Sequence, residues 1–572
     1  MYTVIKNVQV IVALLKKFGI RHVVISAGSR NIPFTVSVEN DSFFKCYSIV
    51  DERSAAFFGI GLIQQLREPV AICCTSGTAV SNYVSAVTEA FYQKLPLVAI
   101  TADRDEYSLN QLEDQCVPQM SYFKEITKKS VNVPIIESDR DYEYAVRLVN
   151  EALLSLNHHG TGPVHINMQV AIGPQEQDFS AKKLPDVRKI NRHMVCDTVG
   201  MKKMSEKLSR AKKIFIIYGQ SAPANEKLRI AAEDFFHSYN CVIGVELMSN
   251  FTCEGCIDID NAPHFGSAEF DEECVPDIVI SVNGNFLSDY KGRFKGSWNF
   301  EHWLVCEEGY LADPYHKLTE IFEGSTQAFF ETMAELAEGR RSDYSYYRLW
   351  KNHVENLPVP DDTYSDIYAM KKFMEAIPEN SILHMANSNS VRLAQIFPVK
   401  KNVSVYCNRG TNGIDGSMSS FMGAAAVSNQ LSFLVIGDLS FFYDMNALWN
   451  RYVGRNLRIM LSNNSGAGIF HFIRSRELFP NIDMHIAAAH DGVAEEWVKS
   501  RGFRYLSAHS KAELDEAMNE FVSPDSEQPV FLEVFTDAEE DAKTLRDYYA
   551  LNLSQKDRIK KGIKKAVKKV LR

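Results

Sequence analysis

Short apolar runs recur along the chain, each closed by small or polar residues and followed by a stretch with helical spacing. In the first third these runs are HVVISAG (22–28), PVAICCTSG (69–77) and PLVAITADR (96–104). Between the last two, Ala79 to Gln93 carries its apolar residues at helical steps. Continuous apolar strands alternating with amphipathic helices predict parallel βαβ units covered on both faces. Ahead of them, Val8 to Phe18 keeps helical spacing with no small-residue cleavage site, which predicts a first helix of the fold and not an export signal.

The pattern repeats twice. After a polar linker at 173–189, the runs KKIFIIYGQ, CVIGVEL, DIVISVNGN and HWLVCEE predict a smaller α/β domain. A second polar stretch, 339–365, predicts another linker. Beyond it, LSFLVIGD (431–438), SFFYDMNALWNRYV (440–453) and LRIMLSNN (457–464) read as strand, helix and strand. The fold class is therefore α/β, with three domains built on mostly parallel sheets at 1–180, 190–345 and 360–545, followed by a tail at 554–572. The first and third domains share a style that hints at duplication.

Composition adds little to this picture, whereas charge position adds more. The 572 residues are 45% hydrophobic and 23% charged, ordinary for a globular protein, and no apolar run approaches a membrane span. The net charge of −10 argues against general nucleic-acid binding. Nine Lys/Arg and one Asp lie between Lys556 and Arg572, a net of +8, so the first 555 residues carry −18. In the tail, Ile559, Ile563, Val567 and Leu571 recur at helical spacing among lysines, a pattern suited to peripheral contact with an anionic membrane. Eleven scattered cysteines suit a reducing cytoplasm. Cys253 and Cys256 form half of a zinc motif, and no second half follows.

The chemistry concentrates where strands end. Asp438 closes one buried strand and Asn464 the next, 26 residues later, with Gly466 placed to offer a carbonyl. Two hard oxygen ligands and a carbonyl on adjacent strand ends suit Mg²⁺, with Mn²⁺ as an alternative, and such a cation normally shares a phosphate ligand. Taken singly, each motif is also an ordinary capped turn.

Gly437-Asp438 followed by Asn463-Asn464 resembles the diphosphate and Mg²⁺ motif of thiamine diphosphate (ThDP) enzymes. SAGSR (26–30), DER (51–53), TSGTAV (75–80), TADR (101–104), NS..VR (387–392), NRG..GIDG (408–416), GDLS (437–440) and NNSGAGIF (463–470) together resemble one branch, the 2-succinyl-5-enolpyruvyl-6-hydroxy-3-cyclohexene-1-carboxylate synthase family of menaquinone biosynthesis. The resemblance implies a three-domain fold with pyrimidine-binding, middle and diphosphate-binding domains. It implies decarboxylation of 2-oxoglutarate and carboligation to isochorismate. Glu52 would hydrogen-bond the cofactor pyrimidine, and Ile414 would wedge between its rings. Ser76, Gly77, Gly437, Asp438, Leu439, Ser440 and Asn464 would hold the cofactor; Asp438, Asn464 and Gly466 would hold the metal.

By the same resemblance, Ser388 and Arg392 would face the succinyl carboxylate. Ser29, Arg30, Arg104 and Arg409 would line the acceptor side, with Gln111 near the reacting centre. Ile469 and Phe470 would form an apolar wall. The family pattern has Pro where Ala27 stands and Ser where Asn31 stands. Its middle-domain basic pair has no clean counterpart: Lys291 and Arg293 of LSDYKGRF stand at a different spacing. That leaves open a carboligase of the same type with another acceptor, and a catalytically silent scaffold recruited by its tail. The resemblance also implies a homodimer or dimer of dimers, with Glu52 from one chain and Asp438 from the other, working in the cytoplasm or at the inner membrane face.

Overall fold

The computed structural model describes residues 1–170, 177–190, 199–266, 268–296, 298–310, 312–473 and 481–551. The basic tail, and part of the linker predicted at 173–189, lie outside the described residues. No helix among the described residues is long and apolar enough to cross a membrane.

Three six-stranded parallel sheets succeed one another. The first comprises β1 (His22–Ile25), β2 (Lys45–Ser48), β3 (Val70–Cys74), β4 (Leu97–Asp103), β5 (Lys129–Val133) and β6 (Val164–Gln169), in the order β2-β1-β3-β4-β6-β5. The second comprises β7 (Ile214–Tyr218), β8 (Cys241–Val245), β9 (Cys256–Asp258), β10 (Ile278–Val282), β11 (Glu301–Cys306) and β12 (Leu318–Glu323), in the order β12-β11-β10-β7-β8-β9. The third comprises β13 (Ile382–Met385), β14 (Ser404–Cys407), β15 (Ser432–Gly437), β16 (Leu457–Asn463), β17 (Arg504–Ala508) and β18 (Val530–Phe535), in the order β14-β13-β15-β16-β18-β17.

Counted within its own domain, the first sheet and the third share one order, 2-1-3-4-6-5. The middle sheet is doubly wound in the manner of dinucleotide-binding folds. The central strands β1, β3, β4 and β6 are buried throughout, as strands covered on both faces must be. The edge strand β12 alternates half-buried with exposed positions instead.

Helix boundaries follow local chemistry. The helix Glu52–Leu66 starts where the Asp51 side chain accepts from Ser54 N at 2.9 Å, and it stops at Arg67 in the left-handed region. The stretch Ala79 to Gln93, expected as one helix, is two: Thr78–Asn82 and Val84–Gln93, broken at the buried Tyr83. The helix expected at 440–453 ends at Tyr443, and a 3-10 turn, Met445–Leu448, follows. Asp444 interrupts it because its carboxylate is committed to Ser419 N and Oγ, both at 2.8 Å. The linker predicted at 339–365 contains the helix Ser345–Val354, whose Tyr346 and Trp350, one turn apart, fill the core of the middle domain.

The first and third domains share a single apolar core. Phe57, Phe58 and Ile60 of the helix Glu52–Leu66 pack with Met418, Phe421 and Met422 of the helix Ser417–Ala425. These helices touch backbone to backbone. A methyl group on Gly61 would stand 1.9 Å from Ser420 O, and one on Gly423 2.1 Å from Phe58 O. Only glycine allows that approach.

Candidate active site

The site residues gather on loops that follow four neighbouring strands in each of two sheets. In the third sheet, β14, β13, β15 and β16 lead into Arg409, Ser388, Asp438 and Asn464 respectively. In the first, β2, β1, β3 and β4 lead into Glu52, Ser29–Arg30, Ser76–Gly77 and Arg104. Carboxyl ends of parallel strands, around the point where strand order reverses, are where such sheets take ligands.

Asp438 is 2% exposed and opens the helix Asp438–Tyr443. Its Oδ1 accepts from Leu439 N at 2.6 Å and its Oδ2 from Gly466 N at 2.9 Å. Burial raises its pKa above the usual carboxylate value, and these backbone bonds oppose that shift. Asn464 donates Nδ2 to Asp541 Oδ2 at 3.0 Å, which fixes the amide and leaves Oδ1 for a cation. The intervening turn has Ser465 at φ 62° and Gly466 at φ 151°. One carboxylate, one amide oxygen and one backbone carbonyl form a hard oxygen set that fits Mg²⁺. Among the described residues there is no group of three or more His, Cys, Asp and Glu that could hold a metal.

The surroundings also fit a bulky polar cofactor. A side chain on Gly437 would meet open space. Ser440 Oγ donates to Ile414 O at 2.6 Å and so ties the half-exposed Ile414 to the Asp438 helix. In the first domain, Ser76 Oγ is buried without a hydrogen-bond partner among the described residues. Beside it, Gly77 adopts φ 86° and donates its N–H to Gln119 Oε1 at 3.0 Å. Glu52 is half-buried at the first turn of its helix, near the buried Cys74 and Tyr83.

A cationic group lies beyond. Arg409 is 8% exposed and donates Nη1 to Asn387 Oδ1 at 3.0 Å. Burial lowers the pKa of Lys291, and Arg409 and Arg392 act on it in the same direction. Lys291, Arg392 and Arg409 therefore share one region. The nearby Glu246 carboxyl, held by Leu287 N at 2.7 Å and by Ser288 N, is raised by burial. Arg293 does not join them. It pairs with Asp271 and donates to Pro263 O at 2.7 Å. Ser388, at φ 72°, is a strained non-glycine position of the kind that collects at functional sites.

The remaining predicted residues are placed as follows. Arg30 is buried, with its N–H on Thr75 Oγ1 at 3.2 Å, and Ser29 is exposed beside it. Arg104 Nη1 stands 3.3 Å from Glu113 Oε2. Gln111 is exposed and donates to Leu109 O at 3.2 Å; Gln115, not Gln111, packs against Gly77. Ile469 and Phe470 are half-buried at the start of the helix Ile469–Ile473. That helix is held by His471, whose Nδ1 is 3.1 Å from Glu539 Oε1, and by Arg546 Nη1 donating to His471 O at 2.8 Å.

Three further residues had no sequence signal. His490 accepts from Gly492 N at its Nδ1, so its other nitrogen carries the proton, 3.4 Å from Asp438 Oδ2. Asp541 orients Asn464 from the helix Ala538–Tyr549. Glu89 binds the loop that carries Arg409.

The family "Thiamine pyrophosphate enzyme, N-terminal TPP binding domain" matches residues 5–126. A 2-succinyl-5-enolpyruvyl-6-hydroxy-3-cyclohexene-1-carboxylate synthase from Phocaeicola vulgatus is 40% identical over 555 residues, covering 96% of this chain and 99% of its own. The enzyme of that name from Bacteroides fragilis is 41% identical over 556 residues, with the same coverage. Among solved structures, benzoylformate decarboxylase from Polynucleobacter necessarius superposes with a TM-score of 0.72. It covers 94% of this chain and 99% of its own at 16% identity, a likeness of fold alone.

Proposed function

The chain belongs to the 2-succinyl-5-enolpyruvyl-6-hydroxy-3-cyclohexene-1-carboxylate synthase family, and on that premise we propose that it uses ThDP and Mg²⁺ to decarboxylate 2-oxoglutarate and join the remaining four-carbon unit to isochorismate. The observation that carries this reading is the oxygen set of Asp438, Asn464 and Gly466 on the same strand-end face as Arg392 and Arg409, with Lys291 beside them. The named product bears three carboxylates, and a cluster of three cations matches that charge. Arginine pairs a carboxylate through two parallel N–H bonds, and lysine acts as a point charge.

Bound ThDP supplies an electron sink that accepts the pair left behind when the donor loses CO₂. Asp438, Asn464 and the Gly466 carbonyl would hold the metal and, through it, the diphosphate. Gly437, Leu439 and Ser440 would line that end, while Ser76 and Gly77 would receive the aminopyrimidine. Glu52 would hold a proton with the pyrimidine nitrogen that faces it. Arg392 and Ser388 would orient the succinyl carboxylate. Arg409, Lys291, Arg30 and Arg104 would hold the acceptor, with Ser29 and a loop glutamine, Gln111 or Gln115, at the reacting centre. Ile469 and Phe470 would keep water from protonating the donor before the carbon–carbon bond forms.

The enzyme would act as a homodimer or dimer of dimers, with Glu52 of one chain meeting Asp438 of the next. Tyr107, Leu112, Tyr443, Trp449 and Met484 are exposed apolar side chains that such an interface would cover. It would work in the cytoplasm, and the basic tail would rest on the anionic inner face of the membrane.

The test supplies ThDP, Mg²⁺ and 2-oxoglutarate, with and without isochorismate, and reads products by mass. The expected result is the carboligated tricarboxylate with isochorismate present, and its loss in Glu52→Gln while ThDP still binds. Turnover of 2-oxoglutarate that ignores isochorismate would point to a different acceptor. Wild-type activity in Glu52→Gln would sink the mechanism.

A further inference from the structure

Glu89 is 2% exposed, yet it carries a carboxylate that faces no cation within ion-pair distance among the described residues. It lies on the first-domain helix Val84–Gln93 and reaches into the third domain. Its Oε1 accepts from Gly410 N at 2.9 Å and from Gln93 Nε2 at 2.6 Å. Its Oε2 accepts from Thr411 N at 2.8 Å and Thr411 Oγ at 2.6 Å. Four neutral donors thus converge on one buried charge, three of them from the two residues that follow Arg409. The approach is close. A side chain on Gly410 would stand 2.8 Å from Glu89 O.

The same loop is gripped elsewhere at its edges. Gln220 donates to Cys407 O at 2.7 Å and Asn285 to Arg409 O at 3.3 Å, both from the middle domain. Asn387 donates to Asn408 O at 2.6 Å. Among the described residues, Glu89 alone binds the backbone N–H groups on the far side of Arg409. A buried carboxylate that accepts several backbone N–H bonds gives a strong and directional fixation, and losing it leaves those donors unsatisfied.

We propose that Glu89 is a positioning residue for the synthase reaction: by clasping Gly410 and Thr411 it fixes the loop that aims the Arg409 guanidinium at a substrate carboxylate. The proposal rests on Arg409 being a substrate ligand, as read above. It makes the seam between the first and third domains of one chain part of substrate recognition, at a position that touches no substrate.

The test is a double-mutant cycle in full-length protein with ThDP and Mg²⁺, combining Glu89→Gln with Arg409→Ala. Glutamine keeps the shape but turns an amino group toward at least one donor. Glu89→Gln should lower kcat/KM about 10- to 100-fold, chiefly through KM for the substrate that Arg409 holds, with ThDP affinity by calorimetry unchanged. In the Arg409→Ala background the same substitution should cost less than about threefold. A full, additive cost in that background overturns the role of Glu89. Near-wild-type activity of Arg409→Ala alone overturns the reading beneath it. Should Glu89→Gln fail to fold, Thr411→Val removes one donor and takes its place in the cycle, with a smaller loss that must likewise vanish when Arg409 is absent.

Discussion

Asp444 is fully buried between the first and third domains, where Arg53 Nη2 stands 3.8 Å away and favours its charge. Burial outweighs that cation, and the carboxyl pKa is pushed up to about 7. Between about pH 4 and pH 7 the folded chain keeps a proton that the unfolded chain has released. Stability should therefore fall as pH rises through that window and level off above it, by on the order of 4 kcal/mol. Asp444→Asn carries a permanent donor toward Ser419 Oγ and should flatten the dependence. Melting temperatures of both proteins from pH 5 to pH 8 check this, and parallel slopes would refute it. At this scale the sequence was legible where a residue's type states its chemistry at a strand end, as with Asp438. It was not legible where two similar residues compete. Lys291 and Arg293 stand two apart on the helix Tyr290–Lys295 and so face different ways, and only Lys291 reaches Arg392 and Arg409. Gln111 and Gln115 share a loop with left-handed residues at Asn110, Leu112 and Gln115, whose path no pattern of hydrophobicity encodes.

Among elements, the crossing of helices Glu52–Leu66 and Ser417–Ala425 places the first domain against the third. Gly61→Ala would drive a methyl group into the Ser420 carbonyl, a backbone atom that cannot rotate away. A loss of about 3 kcal/mol is expected in urea unfolding. Gly292→Ala, a helical glycine whose added methyl meets nothing, should be neutral or slightly stabilising. Equal effects of the two substitutions would refute the close crossing. Parallel βαβ units were readable from apolar runs because strands covered on both faces carry no polar alternation. The helix Ser345–Val354 was hidden because its polar residues dominate, and only Tyr346 and Trp350 bury. The seam itself could not be read. Glu89 and Asp541 find their partners 321 and 77 positions away in sequence, beyond any local spacing rule.

For the molecule as a whole, the acidic body and the cationic site separate cleanly: −18 describes the first 555 residues, while Lys291, Arg392 and Arg409 share one region of the fold. The full chain and a chain ending at Ser554 should form the same oligomer, dimer or tetramer, by light scattering, since Tyr107, Leu112, Tyr443, Trp449 and Met484 all precede the tail. Only the full chain should sediment with anionic vesicles, and added salt should release it. Equal partitioning of the two chains would remove the tail from membrane contact. The Glu89 clasp also has a consequence for synthesis. Gly410 lies 410 − 169 = 241 positions after Gln169, where the first sheet ends, so at about 5–20 residues per second the ribosome needs roughly 12 to 48 s to deliver it. Throughout that interval a finished first domain carries a charged, donor-hungry notch and a glycine-floored apolar groove with nothing to fill them. The seam beneath the proposed Arg409 ligand can therefore close only after the whole first domain has been made.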